Sequence, residues 1–310
     1  MISRRNIRVK VMQTLYSLES FSDDLKTGEQ EAILKEKVNQ TKSLFTYLIY
    51  FLTEVARYAE TDSIQKASKL LPTSADLNVN IKISGNELLW KILEDSSFKQ
   101  SVKTYRSEYT IDEELVKKIY NQLSIAEEYK EYTETSSREK KSERKILEFI
   151  FSKLMLPNED FTQHIEERFI NWDDDAELLN LLVLNYLNKP GSHSFMDLLS
   201  KEKWDFAKDL LKTVLEKKSF TLELIKPKLN NWDADRIASL DLILLQMGVC
   251  EFLYFETIPT KVTINEYIDL AKSYSTPQSG QFVNGLLDNI HKELSAQNKI
   301  HKKIYKNSTL

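Results

Sequence analysis

The sequence predicts an all-α fold. Apolar residues recur at three- and four-residue spacings along nearly all of the 310 residues, the signature of amphipathic helices. Glycine and proline number only six each, so tight turns are few. Leucine, lysine and glutamate, all good helix formers, are abundant. The 41% apolar content can fill one large or two ordinary domain cores.

The elements follow in order. Ser3 is a plausible N-cap for a first helix. Within it Ile7, Val11, Leu15 and Leu18 share one face, and Val9, Met12 and Tyr16 form a second strip. A helix apolar on two sides belongs inside a bundle. Residues 19–43 read as a polar connection with partial helix, and an aromatic-rich helix spans 44–60. Pro72 opens a loop reaching about residue 84, with a weak strand signal at 79–83. Helical patterns follow at 86–106, 111–133, 142–156, 160–170 and 175–188. The charged segment 127–145 reads as a solvated helix pair with an exposed joint at Ser136-Ser137. Lys189-Pro190-Gly191-Ser192 reads as a linker. After Trp204, the residues Ala207, Leu210, Leu211 and Val214 mark a strong amphipathic helix. Asn-Trp-Asp recurs at 171–173 and 231–233, each time before an apolar helix that Asp173 or Asp233 would cap. This is either a degenerate duplication or two similar caps.

Composition narrows the function. A single cysteine, Cys250, excludes an internal disulfide and a Cys-rich zinc site and suits a reducing, cytoplasmic setting. The start is basic without an apolar block, so no signal peptide is expected. The most apolar run, 44–52, is too short for a bilayer of about 30 Å. Net charge is −4 but uneven. Arg4, Arg5, Arg8 and Lys10 crowd the start, lysines crowd the end, and 107–180 is acidic. Basic ends on an acidic body either attract phosphate or serve as solubilising tails. Cations in a first helical turn oppose the macrodipole, and a bound phosphate would compensate them.

The later helices carry the polar constellations. Ile237, Leu240, Leu244, Gly248 and Phe252 line the buried side of the helix opened by Asp233, with Asp241 amid that stripe and Glu251 on its edge. Two carboxylates there suit acid–base chemistry or, better, anchoring of buried donors. The scattered histidines suggest no metal site. Thr263-Ile264-Asn265-Glu266 reads as a capping box. The last helix places Val283, Leu286, Leu287 and Ile290 on its core side. Gly285 inside it costs about 1 kcal/mol relative to alanine, which usually marks close helix contact. Phe282 beside Ser279, Gln281 and Asn284 suits stacking and hydrogen bonding to an unstacked base. Glycine-rich phosphate loops, CxxC, HExxH and catalytic triads are absent from the sequence. The chemistry is recognition, with no catalysis and no cofactor expected.

These residues resemble a known family. SRRNIRVKVMQTLYSLE looks like the first helix of NusB transcription antitermination factors. The run 206–290, with IPTKVTINEYIDLAK and SGQFVNGLLD, looks like the remainder of that domain. The resemblance covers about a third of the chain. It implies a NusB-like helical bundle formed by 1–20 and 204–292, a large helical insertion over 21–203, and a basic tail over 293–310. It further implies binding of single-stranded boxA-like RNA in ribosomal RNA operons, together with the ribosomal protein NusE, within an RNA polymerase antitermination complex. Arg4, Arg5 and Arg8 would hold phosphates with Tyr16 behind them. Lys272, Ser279, Gln281, Phe282 and Asn284 would lie near the RNA or its partner. Asp241 and Glu251 would help form the NusE-facing side. Asn6-Ile7 interrupts the usual basic run, and Gln246 and Gln281 stand where the family often has basic residues, each weakening phosphate binding. The insertion would be an extra helical layer or a protein-docking arm. The alternatives are an accessory RNA-binding domain of the kind joined to ribosomal RNA methyltransferases, and a helical protein-interaction scaffold.

Overall fold

A computed structural model describes residues 2–19, 28–191, 194–229 and 237–303. Among these the chain is all-α. In order the helices are α1 (Arg4–Glu19), α2 (Glu29–Ala67), α3 (Ser74–Leu77), α4 (Glu87–Glu94), α5 (Ser96–Tyr105), α6 (Glu113–Ile125), α7 (Glu127–Glu134) and α8 (Lys140–Phe149). They continue with α9 (Glu159–Arg168), α10 (Trp172–Asn188), α11 (Lys201–Glu216), α12 (Lys218–Ile225), α13 (Ser239–Tyr254), α14 (Thr260–Tyr274) and α15 (Ser279–Ala296). Two compact units emerge. One comprises residues 38–198, the other the N-terminal residues through Lys37 together with the chain from Leu199 onward. These junctions fall inside α2 and just before α11, at 37/38 and 198/199, where the sequence suggested 20/21 and 203/204.

In the unit 38–198 the apolar face of α2 forms the spine of the core. Leu44, Leu48, Phe51, Leu52 and Val55 are fully buried, and the ring of Phe51 meets that of Phe161 edge-on at 4.8 Å. Asn86 caps α4 by accepting from the amides of Leu88 and Leu89. Glu143 is buried there, but its carboxylate accepts from the Glu87 amide at 2.7 Å and the Tyr132 hydroxyl at 2.9 Å, so its burial is compensated. The charged pair α7 and α8 is thus solvated only on its outer side, and the exposed joint does fall at 135–139.

Four readings of the sequence change. Residues 29–43 are not a connection; they are the first turns of the 39-residue α2. The 79–83 signal yields no strand, and Lys82–Gly85 forms a 3₁₀ turn. Asp173 does not cap α10, which starts one residue earlier with Asn171 in the cap position. Thr263-Ile264-Asn265-Glu266 lies one turn inside α14, which begins at Thr260 behind Pro259. Asp233 and the second Asn-Trp-Asp lie outside the described residues.

In the other unit α13 is central, packed by α1, α11, α12, α14 and α15. It is buried on nearly all sides from Ile243 to Phe252. Gly248 permits this. A Cβ there would sit 2.8 Å from Leu287 of α15. Among the described residues no helix is long and apolar enough to cross a membrane, and no cluster of His, Cys, Asp and Glu could hold a metal ion.

Candidate nucleic-acid interface

α1 begins where the sequence placed it. The Ser3 hydroxyl accepts from the Asn6 amide at 3.2 Å, and the Ser3 carbonyl accepts from Ile7. From that start the three arginines diverge. Arg4 leans toward α11, pairing with Glu202 at 2.6 Å over the ring of Phe206. Arg5 leans toward α14 and pairs with Asp269 at 3.4 Å. Both arginine side chains are about 40% exposed. Such surface pairs contribute at most about 1 kcal/mol, so an arriving phosphate can exchange for the carboxylate.

Arg8 points inward. Its side chain is 2% exposed, and it grips the fully buried Glu251 with two bonds, Nε to Oε1 at 2.7 Å and Nη2 to Oε2 at 3.0 Å. Glu251 also accepts from the Thr263 hydroxyl at 3.0 Å and the Tyr267 phenol at 2.8 Å, and Glu266 stands 3.5 Å from the guanidinium. Burial alone would lower the Arg8 pKa, but the hydrogen bond and charge of Glu251 more than reverse this, so the guanidinium stays charged. Burial, reinforced by the Glu251 charge, holds the Tyr267 phenol well above its usual range, so it remains a donor. α1, α13 and α14 are thereby tied at one buried point.

This corrects two expectations. Arg8 is not a surface phosphate ligand, because its bidentate partner Glu251 is internal and its guanidinium lies over the buried rings of Phe206 and Tyr267. Glu251 is not on a partner-facing side, because it has no exposed surface. Asp241 is corrected likewise. It is buried and accepts from the Ser279 hydroxyl at 2.7 Å. Ser279 leaves the RNA-facing set for the same reason. It is buried, and its oxygen also accepts from the Thr276 amide, knitting the α14–α15 loop to α13. Gln246 is buried within α13 and so forms no part of the exposed surface.

The remaining residues stay outside. Tyr16 is 51% exposed and lies eleven residues beyond Arg5, so it shares that side of α1 about 16 Å farther along. Lys272 is exposed on α14, one turn beyond Asp269. Its aliphatic stem crosses the start of α15, where Gly280 makes room. A Cβ on Gly280 would lie 2.7 Å from Lys272 Cγ. Gln281 and Asn284 are exposed on the following turns, and Phe282 is half-buried on their flank. The two chain extremities therefore meet through α14, with Arg5 against Asp269, Lys272 one turn on, and then the head of α15.

Sequence reasoning missed a C-terminal strap. The Lys302 ammonium donates to the carbonyls of Glu251 at 2.7 Å and Phe255 at 2.8 Å, the C-terminal end of α13. The Lys303 amide bonds the Glu256 carbonyl at 3.0 Å. The tail is thus used inwardly at 302–303. No periodic signal could have found this, because the strap is irregular backbone.

A model of the NusB family matches residues 169–292. The transcription antitermination protein NusB of Salinibacter ruber is 43% identical over 98 residues, covering 32% of this chain and 61% of that protein. Its counterpart in Finegoldia magna is 40% identical, covering 30% of this chain and 69% of that protein. That of Listeria monocytogenes is 37% identical, covering 31% and 76%. A solved structure of T. maritima NusB is 31% identical, covers 44% of this chain and 86% of that one, and superposes with a TM-score of 0.31. The chain spans less than two thirds of the Salinibacter protein and more than two thirds of the other two relatives. With an all-α architecture and this identity over its C-terminal part, the chain belongs to the NusB family.

Proposed function

We propose that this chain is a transcription antitermination factor that binds single-stranded boxA-like RNA of ribosomal RNA operons together with the ribosomal protein NusE, as part of an RNA polymerase antitermination complex. One observation carries the RNA reading. Arg5 pairs with Asp269, Lys272 lies one helical turn beyond that carboxylate, and the Lys272 stem crosses Gly280 at the head of the helix that exposes Gln281 and Asn284. Cations followed by neutral donors and acceptors suit a strand whose phosphates are positioned first and whose bases are addressed next. Arg4 adds a second phosphate contact toward α11. Tyr16 offers an exposed ring farther along α1. Phe282 is a flanking aromatic. Arg8 works through position alone, fixing the angle at which α1 presents Arg4 and Arg5.

The partner side is not built on Asp241 or Glu251, which are both internal. The unit 38–198 is proposed as a protein-docking arm, because its surface is acidic and repels phosphate. A gel shift with boxA-like RNA, with and without NusE and across a salt series, tests the reading. Binding that steepens with falling salt and tightens with NusE supports it. Salt-independent or absent binding in both conditions overturns it.

A further inference from the structure

α7 and α8 are joined at depth, where the Tyr132 hydroxyl donates to buried Glu143 at 2.9 Å, and an open groove of about 620 Å³ lies between them. Its floor is apolar. Ile146 and Tyr132 are buried, and Phe149 is half-buried. Its two walls carry opposite signs. α7 supplies exposed Glu128 and Glu131, and α8 supplies exposed Lys141 and Lys145. Glu139 of the joint lines the groove too. Glu148 on the basic wall is countered by Arg144 of its own helix at 3.3 Å. Beyond Phe149 the basic wall runs on as a π-helix, Ile150–Met155, with the Leu156 amide bonded to the Phe151 carbonyl at 3.1 Å. Lys153 of that turn extends the basic wall. Such wide turns are rare and frequently occur at functional sites.

Size and chemistry select the occupant. Glu128 to Thr135 and Lys141 to Phe149 each run about 10–12 Å, two turns of a helix. An extended segment does not suit the floor, because its backbone N–H and C=O groups would lie over apolar rings without partners. A helix satisfies its own backbone and presents only side chains. A second copy of the same groove would set hollow against hollow and leave both floors unfilled. Flanks of a single sign would face a like charge on one wall, whereas flanks of opposite sign satisfy both. We infer that this groove receives one amphipathic helix of a partner protein, its apolar stripe on Ile146 and Phe149, a Lys/Arg flank against α7 and an Asp/Glu flank against α8. The inference rests on the docking-arm part of the reading above and adds to it the place and the chemistry of the partner.

The test titrates the full chain with three labelled synthetic helical peptides of about 18 residues, long enough to hold a helix, followed by anisotropy. All share a leucine stripe. One carries Lys and Glu on opposite flanks, one Lys on both, and one Glu on both. Wild type should bind the mixed peptide about 5–30-fold more tightly than either of the others, the worth of a few surface pairs. The acidic body alone favours the Lys-flanked peptide, so this preference requires both walls. Lys141→Glu/Lys145→Glu makes both walls acidic and should transfer the preference to the Lys-flanked peptide, with the boxA-like RNA gel shift unchanged. If wild type prefers the Lys-flanked peptide and the double variant alters nothing, the groove is overturned and an acidic docking arm stands. If no peptide binds, the groove and the docking arm fall together, while the gel shift decides the RNA reading separately. If sedimentation velocity shows a wild-type dimer that the double variant abolishes, a second copy fills the groove and the partner helix is wrong.

Discussion

Arg8→Met isolates the buried tie between the N-terminal helix and the core. Methionine keeps much of the volume and removes the charge. Glu251, with no exposed surface, then loses two charge-assisted bonds at 2.7 and 3.0 Å and keeps only the hydroxyls of Thr263 and Tyr267. Breaking a buried pair by removing one partner costs about 3–5 kcal/mol, because the remaining charge is stranded. This is a rise of about 10²–10⁴ in the opening constant of this unit. Two units unfold in this chain, so one melting temperature would mix them. Native-state hydrogen exchange of the α13 and α14 amides reads the correct unit. Arg8→Met should accelerate exchange there by that factor. The double variant Arg8→Met/Glu251→Leu should be less damaged than the sum of the two single changes, with a coupling of at least about 0.5–3 kcal/mol. Exchange in Arg8→Met within about fivefold of wild type would refute the view that this pair clamps α1 to the core.

Other expectations are narrower. Arg4→Ala and Arg5→Ala should leave the fold intact and each reduce the salt slope of RNA binding by about 0.7, the value for one phosphate on a single strand, as measured by anisotropy titrations. Ser279→Ala should cost about 1–3 kcal/mol by depriving buried Asp241 of its donor, with an unchanged salt slope; a reduced slope would return Ser279 to the RNA face. Gly248→Ala should destabilise by about 1–3 kcal/mol because its Cβ meets Leu287, measured by denaturant titration. Lys302 carries a pH signature. Burial lowers its pKa from 10.5 to about 8, so between those values the unfolded chain holds a proton that the folded chain has released. Stability contributed by this group therefore rises with pH across that window, and its penalty is complete below pH 8. Relative to wild type, Lys302→Met should flatten the rise in this unit's stability between pH 8 and 10, followed by denaturant unfolding with a probe inside the unit; parallel profiles would contradict the burial of this amine.

Much of this arrangement was legible in periodicity. The first helix, the amphipathic α11 and the apolar side of α15 follow from three- and four-residue spacing, because burial is what that spacing encodes, whereas α13 begins only at Ser239, after Ile237, and is buried on nearly all sides from Ile243 to Phe252. The site was legible by residue type and misjudged in direction. Arg8 lies three and seven residues before Val11 and Leu15, on an apolar side, which already places it inward. Gly285 shares its side with Gln281, Asn284 and Asp288, which already places it outward, whereas the glycine on an apolar stripe is Gly248. The polar start of α2 hid a helix, since residues 19–43 read as a connection with partial helix without tertiary context. The Lys302 strap had no local signal, because its partners are carbonyls about fifty residues away.

The separation of Arg8 from Glu251 by 243 positions also sets a timetable for biosynthesis. At about 5–20 residues per second, the first helix leaves the ribosome roughly 12–50 s before its counter-ion is made. During that interval residues 38–198 can complete their own core, while Ile7, Val11 and Leu15 have no shelter. The first helix is therefore the stretch that a chaperone would be expected to hold, and its unit can close only once α13 and α14 have been made.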